Sequence, residues 1–176
     1  MAVLGWPKTL SWANFGTPKT AVPASYGGSH TDCHIEIDIS YTHGGATLDS
    51  ASGDYKLKNV SVTVKTIATG TWVLKGVSKQ SDQAAILKHE QGHYNIAGIT
   101  ARDVETALKA LRNSDKGDLL NDVTTTADDI IASGQTEEET YDGSVADGGT
   151  DNGNDITQQA AWNSKIAAAK SLADLP

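Results

Sequence analysis

A chain of 176 residues is sized for one domain and can bury enough surface to fold without staples. Its formal charge of −8, from 14 Lys and Arg against 22 Asp and Glu, would be repelled by nucleic-acid backbones and anionic membranes, which excludes both as main partners. Cys33 is alone, so neither an internal disulfide nor a cysteine-built zinc site is available; no apolar run nears the ~18 residues of a membrane span, and no signal peptide is read in the opening residues.

Residues 1–30 are rich in Pro, Gly, Ser and Thr and read as irregular chain anchored by Trp6, Trp12 and Phe15. Ile35, Ile37, Ile39 and Tyr41 then alternate with His34, Glu36, Asp38 and Ser40, the period-2 pattern of a half-buried strand. A second strand is predicted from Lys56 to Ile67 and a third at Thr71–Leu74, with Ala68-Thr69-Gly70 as the turn between them. The first part, 1–77, is therefore β-rich and expected to form an antiparallel sheet. From Ser81, a candidate N-cap, no proline interrupts the chain until past Leu111, and apolar positions recur at spacings of three and four. This predicts a long helix at about 80–113, a second at about 118–133 ended by Gly134, and a third at about 156–173. Gln135 to Asp155 is acidic and glycine-rich and is expected to be a long functional loop.

The long predicted helix carries His89-Glu90-Gln91-Gly92-His93. Residues four apart in a helix differ by roughly 40° of rotation and ~6 Å of rise, so both imidazoles project from one face and can share a metal. Glu90, one residue on, can reach a water on that metal without being a ligand. Two nitrogen ligands for zinc and a general base for its water are what this spacing supplies. With five His in the chain, chance yields the pattern only about 0.5% of the time, and the helical context it needs is present.

The run Leu87-Lys88-His89-Glu90-Gln91-Gly92-His93-Tyr94-Asn95-Ile96, followed by Ala101-Arg102, resembles a bacterial family of zinc-dependent proteases of the zincin type, known mostly by motif. That family carries H-E-Q-x-H-[FY]-[DN]-I and then an A-R pair. Leu10 to Phe15 is similar to its L-[ST]-W-x-D-F, Tyr141 to Gly148 to its Y-D-x-x-T-x-H-G, and Gln159 to Trp162 to its Q-x-x-W. The resemblance implies an α+β, zincin-like metalloprotease domain spanning 1–176: an antiparallel β-sheet, an active-site helix and two further helices.

A catalytic zinc site takes three protein ligands and keeps one position open. Metzincins place Gly three residues after the second His, where this chain has Ile96, and thermolysin-like enzymes want a Glu about twenty residues on, where only Asp115, Asp118 and Asp122 stand. The Y-D-x-x-T-x-H-G resemblance points beyond the second helix. Aligned without gaps, Asp147 falls where the family has His, so it leads, with Asp142 second and Asp151 third. Asp142, Asp147, Asp151 and Asp155 do not have the spacing of an EF-hand calcium loop. Tyr141 or Tyr94 is a candidate oxyanion donor.

The expectation is thus a zinc metalloendopeptidase: His89, His93 and Asp147 as metal ligands, Glu90 as catalytic base, Zn²⁺ as cofactor and a peptide or protein as substrate. The substrate would lie extended along a free sheet edge, at Thr71–Leu74 or near Val62. The alternative is a zinc-binding module that holds protein without cutting it. Compartment and oligomeric state stay open, with secretion or the periplasm implied by the resemblance alone. No phosphate-binding, dinucleotide or haem motif is present.

Overall fold

Alternation of apolar and polar side chains produces extended chain where the sequence predicts it, but in shorter pieces. The computed structural model describes residues 3–26 and 32–176. The segment from Cys33 forms β1 (Cys33–His34) and β2 (Ile37–Thr42); β3 (Ala46–Leu48), β4 (Tyr55–Leu57), β5 (Ser61–Thr66) and β6 (Trp72–Val73) follow. Among the described residues these pair as three antiparallel two-stranded sheets, β1 with β6, β2 with β5 and β3 with β4, and not as the single sheet expected. The break has a local cause. The turn after β5 folds back so that Ile67 donates to the Glu36 carbonyl at 2.8 Å. The Thr71 hydroxyl takes the Glu36 amide at 3.1 Å, which interrupts the ladder between the two pairs.

The strands expected as free edges are covered. Leu4 bonds to Val62 and Val64 along the outer side of β5, each at 2.9 Å, and Lys19 bonds to Val73 and Lys75 beside β6, each at 2.8 Å. Neither offers an open ladder to an added peptide strand at those positions.

β5 alternates cleanly: Val62 and Val64 are buried and join Tyr94, Ala97, Ala101, Val104 and Leu108 of α1 (Gln83–Ala110) in the larger core. This helix starts at Gln83 with Asp82, not Ser81, as its N-cap. The second helix, α2 (Lys116–Asp142), opens on Asp115, whose carboxylate accepts from the amides of Gly117 at 2.6 Å and Asp118 at 3.0 Å. It runs eight residues past the predicted stop at Gly134. Gly134 does not end the helix; it lets α2 press on α1. A methyl group there would lie 2.3 Å from Thr100 Oγ1. The residues after it, Gln135 and Glu137 to Glu139, are good helix formers and carry the helix on. Gly134→Ala, which in an open helix stabilises by about 1 kcal/mol, is therefore expected to destabilise by about 1–2 kcal/mol, read as a lower urea midpoint.

α3 (Ile156–Ala168) is capped by Asp155, which accepts from Thr157 and Gln158 amides at 2.9 and 2.8 Å. It ends earlier than predicted, and a short 3-10 turn at Leu172–Asp174 follows. Ile96, Ile99, Tyr141, Trp162 and Ile166 form a second core joining α1, the end of α2 and α3. The fold is α+β, with three α-helices among the described residues, none of them long and apolar enough to cross a membrane.

Candidate metal centre

Because α2 continues to Asp142, that residue arrives beside the histidine pair of α1. Asp142 Oδ1 lies 3.0 Å from His89 Nε2 and 2.9 Å from His93 Nε2. Among the described residues these three form the cluster that could hold a metal ion, with ligand atoms all within 4.8 Å of one another. Tetrahedral zinc with bonds of ~2.0–2.1 Å keeps its ligand atoms about 3.3 Å apart, close to the 2.9–3.0 Å between Asp142 and each imidazole. Oδ1 is a buried acceptor with no aligned hydrogen bond, although both imidazole nitrogens are close. The three atoms lie close enough together to serve one ion.

Asp147, the leading sequence candidate, is not in the cluster. It sits in the 3-10 turn Val145–Asp147, exposed, and accepts from Ser144 Oγ at 2.6 Å. Asp151 is likewise elsewhere, exposed at a positive-φ turn, φ 52°. Of the acids the sequence nominates, the structure brings Asp142, the second candidate, and not Asp147 to the histidine pair. The reason is the length of α2: five residues separate Asp142 from Asp147, and the chain leaves the helix between them. His30, four residues before His34 and read with it as structural rather than metal-binding, lies outside the described residues.

The sequence between Asp142 and α3 is tied down rather than loose. Thr150, fully buried, donates to the Tyr141 carbonyl at 2.6 Å, and Asn152 donates to that of Asp142 at 3.1 Å. The Trp162 indole donates to Gly148 at 2.9 Å.

His89 is set by a network. The Gln159 amide nitrogen donates to Tyr141 Oη at 2.5 Å and to Asn163 Oδ1 at 3.2 Å, which turns its Oε1 toward the ring. That oxygen stands 3.0 Å from His89 Nδ1. With Nδ1 donating to that oxygen, Nε2 is the ring nitrogen turned to Asp142 and the one a metal would take. Tyr141 stacks on His89 at 4.7 Å between ring centres, 9° from parallel, and its hydroxyl donates to the His89 carbonyl at 3.1 Å. That hydroxyl also explains Gly92: any side chain there would meet it at 2.1 Å. Tyr141 is thus a wall and support of the centre, and Tyr94 donates to the Gly5 carbonyl at 2.8 Å, so neither tyrosine is placed as an oxyanion donor.

Glu90 is buried, 7% exposed, and lines the same cleft as the pair. Its Oε1 accepts from the Cys33 thiol at 3.1 Å, a contact no sequence pattern announces. Burial and the neighbouring Glu90 charge push the thiol well above its ordinary range. The electrostatics of the cluster follow from its crowding. Burial alone would lower the His93 pKa, but the Asp142 carboxylate outweighs it and holds it up at about 9. Burial alone would raise the Asp142 carboxyl; the two imidazoles reverse that and hold it well below its usual range. Glu138, one helical turn before Asp142, is pushed up to about 7 by burial.

Gln159 is the residue that sequence reasoning places without a role. Gln159→Leu is expected to weaken metal binding by about 10–100-fold, the usual cost of losing an outer partner of a ligating histidine, checked by chelator competition.

No curated protein and no solved structure matches the chain. Residues 18–149, which hold β1 through α2 and with them His89, Glu90, His93 and Asp142, match a family described as bacterial proteins of unknown function (DUF922), and with well over half of its length matched the chain belongs to that family.

Proposed function

We propose that the chain is a zinc-dependent metallopeptidase of zincin type. The observation that carries this reading is the meeting of His89 Nε2, His93 Nε2 and Asp142 Oδ1 at 2.9–3.0 Å, with buried Glu90 beside them. Two imidazoles and a carboxylate are a borderline donor set suited to zinc, and three ligands leave a position open. When bound, the ion supplies Lewis acidity for a water and a carbonyl.

The chain's own residues do the rest. Glu90 accepts the proton of the attacking water and returns it to the leaving amine. Its Oε1 is held by Cys33, and Oε2 has no partner among the described residues and is the oxygen available for that transfer. Gln159 and Tyr141 fix His89 in one tautomer and one plane. The substrate lies in a cleft of about 510 Å³ that opens over the cluster, walled by β1, the start of α1, the end of α2 and the turn at Asn152–Asn154.

A second reading, a module that binds zinc and protein without cutting, draws on the Cys33 contact, which engages one oxygen of the proposed base.

The test is zinc content and turnover of protein purified without chelator. About one zinc per chain is expected, with hydrolysis of a denatured-protein substrate abolished by a chelator and restored by zinc. No zinc taken up at micromolar concentration would overturn the metal and the enzyme together; zinc without hydrolysis would leave the binding module.

A further inference from the structure

The cleft over the metal cluster is lined by six carboxylates, Asp32, Asp82, Glu90, Glu138, Glu139 and Asp142, and by no Lys or Arg. Two of them are accounted for: Asp142 belongs to the ligand set and Glu90 is the proposed base. The other four enter from three directions, Asp32 beside β1, Asp82 at the start of α1, and Glu138 and Glu139 near the end of α2. None of the four has a side-chain hydrogen bond or ion pair among the described residues. Elsewhere the chain does pair its acids: Lys56 with Asp49, Lys65 with Asp38, Lys109 with Glu105. The acids in the cleft stand together with no Lys or Arg among them and only imidazoles as neighbouring bases, over a floor where His89 and Glu90 are each 7% exposed and Asp142 Oδ1 is buried without an aligned partner.

A dication in the cluster offsets about two negative charges and leaves the walls negative. Such a concave, single-sign surface concentrates field and draws in cations. Apolar surface lies among the charges: Ile86 is half-buried, and Ile156 stands 76% exposed at the rim. Long aliphatic stems ending in a positive head meet both features at once, and this is the shape of Lys and Arg side chains.

We propose that the cleft takes a cationic peptide segment, with Lys or Arg side chains flanking the residues at the cluster and facing Asp32, Asp82, Glu138 and Glu139. The inference rests on the peptidase reading for its chemistry, and on the cleft alone for its charge preference.

Three fluorescein-labelled peptides of equal length, with an alanine core flanked by Lys, by Gln or by Glu, separate the outcomes. Binding to the zinc-loaded protein is read by anisotropy, and cleavage of the same peptides by chromatography. The Lys peptide should bind about tenfold tighter than the Gln peptide, the Glu peptide weakest, and the advantage should shrink as salt rises from about 0.05 M to about 0.5 M. Asp82→Asn with Glu139→Gln, both at exposed positions, should remove most of the advantage. Asp128→Asn with Asp129→Asn, exposed and outside the cleft, changes net charge equally and should leave the advantage intact. Equal binding of the three peptides, or equal effects of the two double variants, would overturn the proposal. Charge-selective binding without cleavage would support it and sink the peptidase reading; cleavage indifferent to charge would do the reverse.

Discussion

Asp142→Ala is expected to weaken zinc binding by more than the ~10–100-fold that losing an outer partner costs, and Asp147→Ala to leave it unchanged. Both positions lie in one acidic stretch and both carry a carboxylate, so net charge and composition treat them alike. Geometry separates them. Asp142 Oδ1 is 2.9 Å and 3.0 Å from the two imidazoles, while Asp147 is bonded to Ser144 on the exposed turn. With Asp142 gone, two imidazoles remain, and a two-ligand site binds zinc weakly against water. The Asp142 side chain is 32% exposed, so its removal leaves no sealed cavity and the fold should hold. Competition with a chromophoric chelator measures the difference. If Asp147→Ala lost the metal and Asp142→Ala kept it, the centre described above would be wrong.

The second large effect is expected at Glu90. Glu90→Ala should keep zinc at the wild-type ratio and lower kcat by about 10²–10⁴-fold. Glu90 follows His89 directly, yet its Oε1 meets the Cys33 thiol and it is not one of the three clustered ligand residues. Losing it removes the proton acceptor without removing a ligand. The cost to the fold is small, a thiol left without its acceptor, about 1 kcal/mol. Elemental analysis and steady-state rates on the same preparation read both halves. Cleavage at the wild-type rate by the variant would refute the proposed role of Glu90.

The histidine pair and Glu90 are legible in the sequence because their relation is fixed inside one helix, where spacing is geometry. The third ligand is not, because it depends on where another helix stops. Gly134 and the acid-rich run after it read as a stop and a loop. The structure uses Gly134 for contact with Thr100, and that contact is invisible to any pattern along one strand of sequence. A gap-free alignment then selects Asp147, five residues too far. Likewise the alternation from His34 to Tyr41 predicts extended chain correctly. That it breaks at Glu36, where Thr71 supplies a hydroxyl in place of a ladder bond, depends on a residue 35 positions away. The supports of the centre, Gln159 and Tyr141, come from α3 and the end of α2 for the same reason: they are long-range partners, and only packing announces them.

The extension of α2 has an electrical meaning as well as a steric one. Peptide dipoles in a helix add to about half a negative charge at the carboxyl end. Asp142 is the final residue of a 27-residue helix, so the cluster sits at that negative pole. A cation placed there gains about 0.3–1 kcal/mol from the backbone itself, before any side chain is counted. The same pole would disfavour an anion arriving at the cluster. Backbone polarity of this kind is blind to the identity of the cation, so discrimination among metals falls to the two imidazole nitrogens and the one carboxylate oxygen.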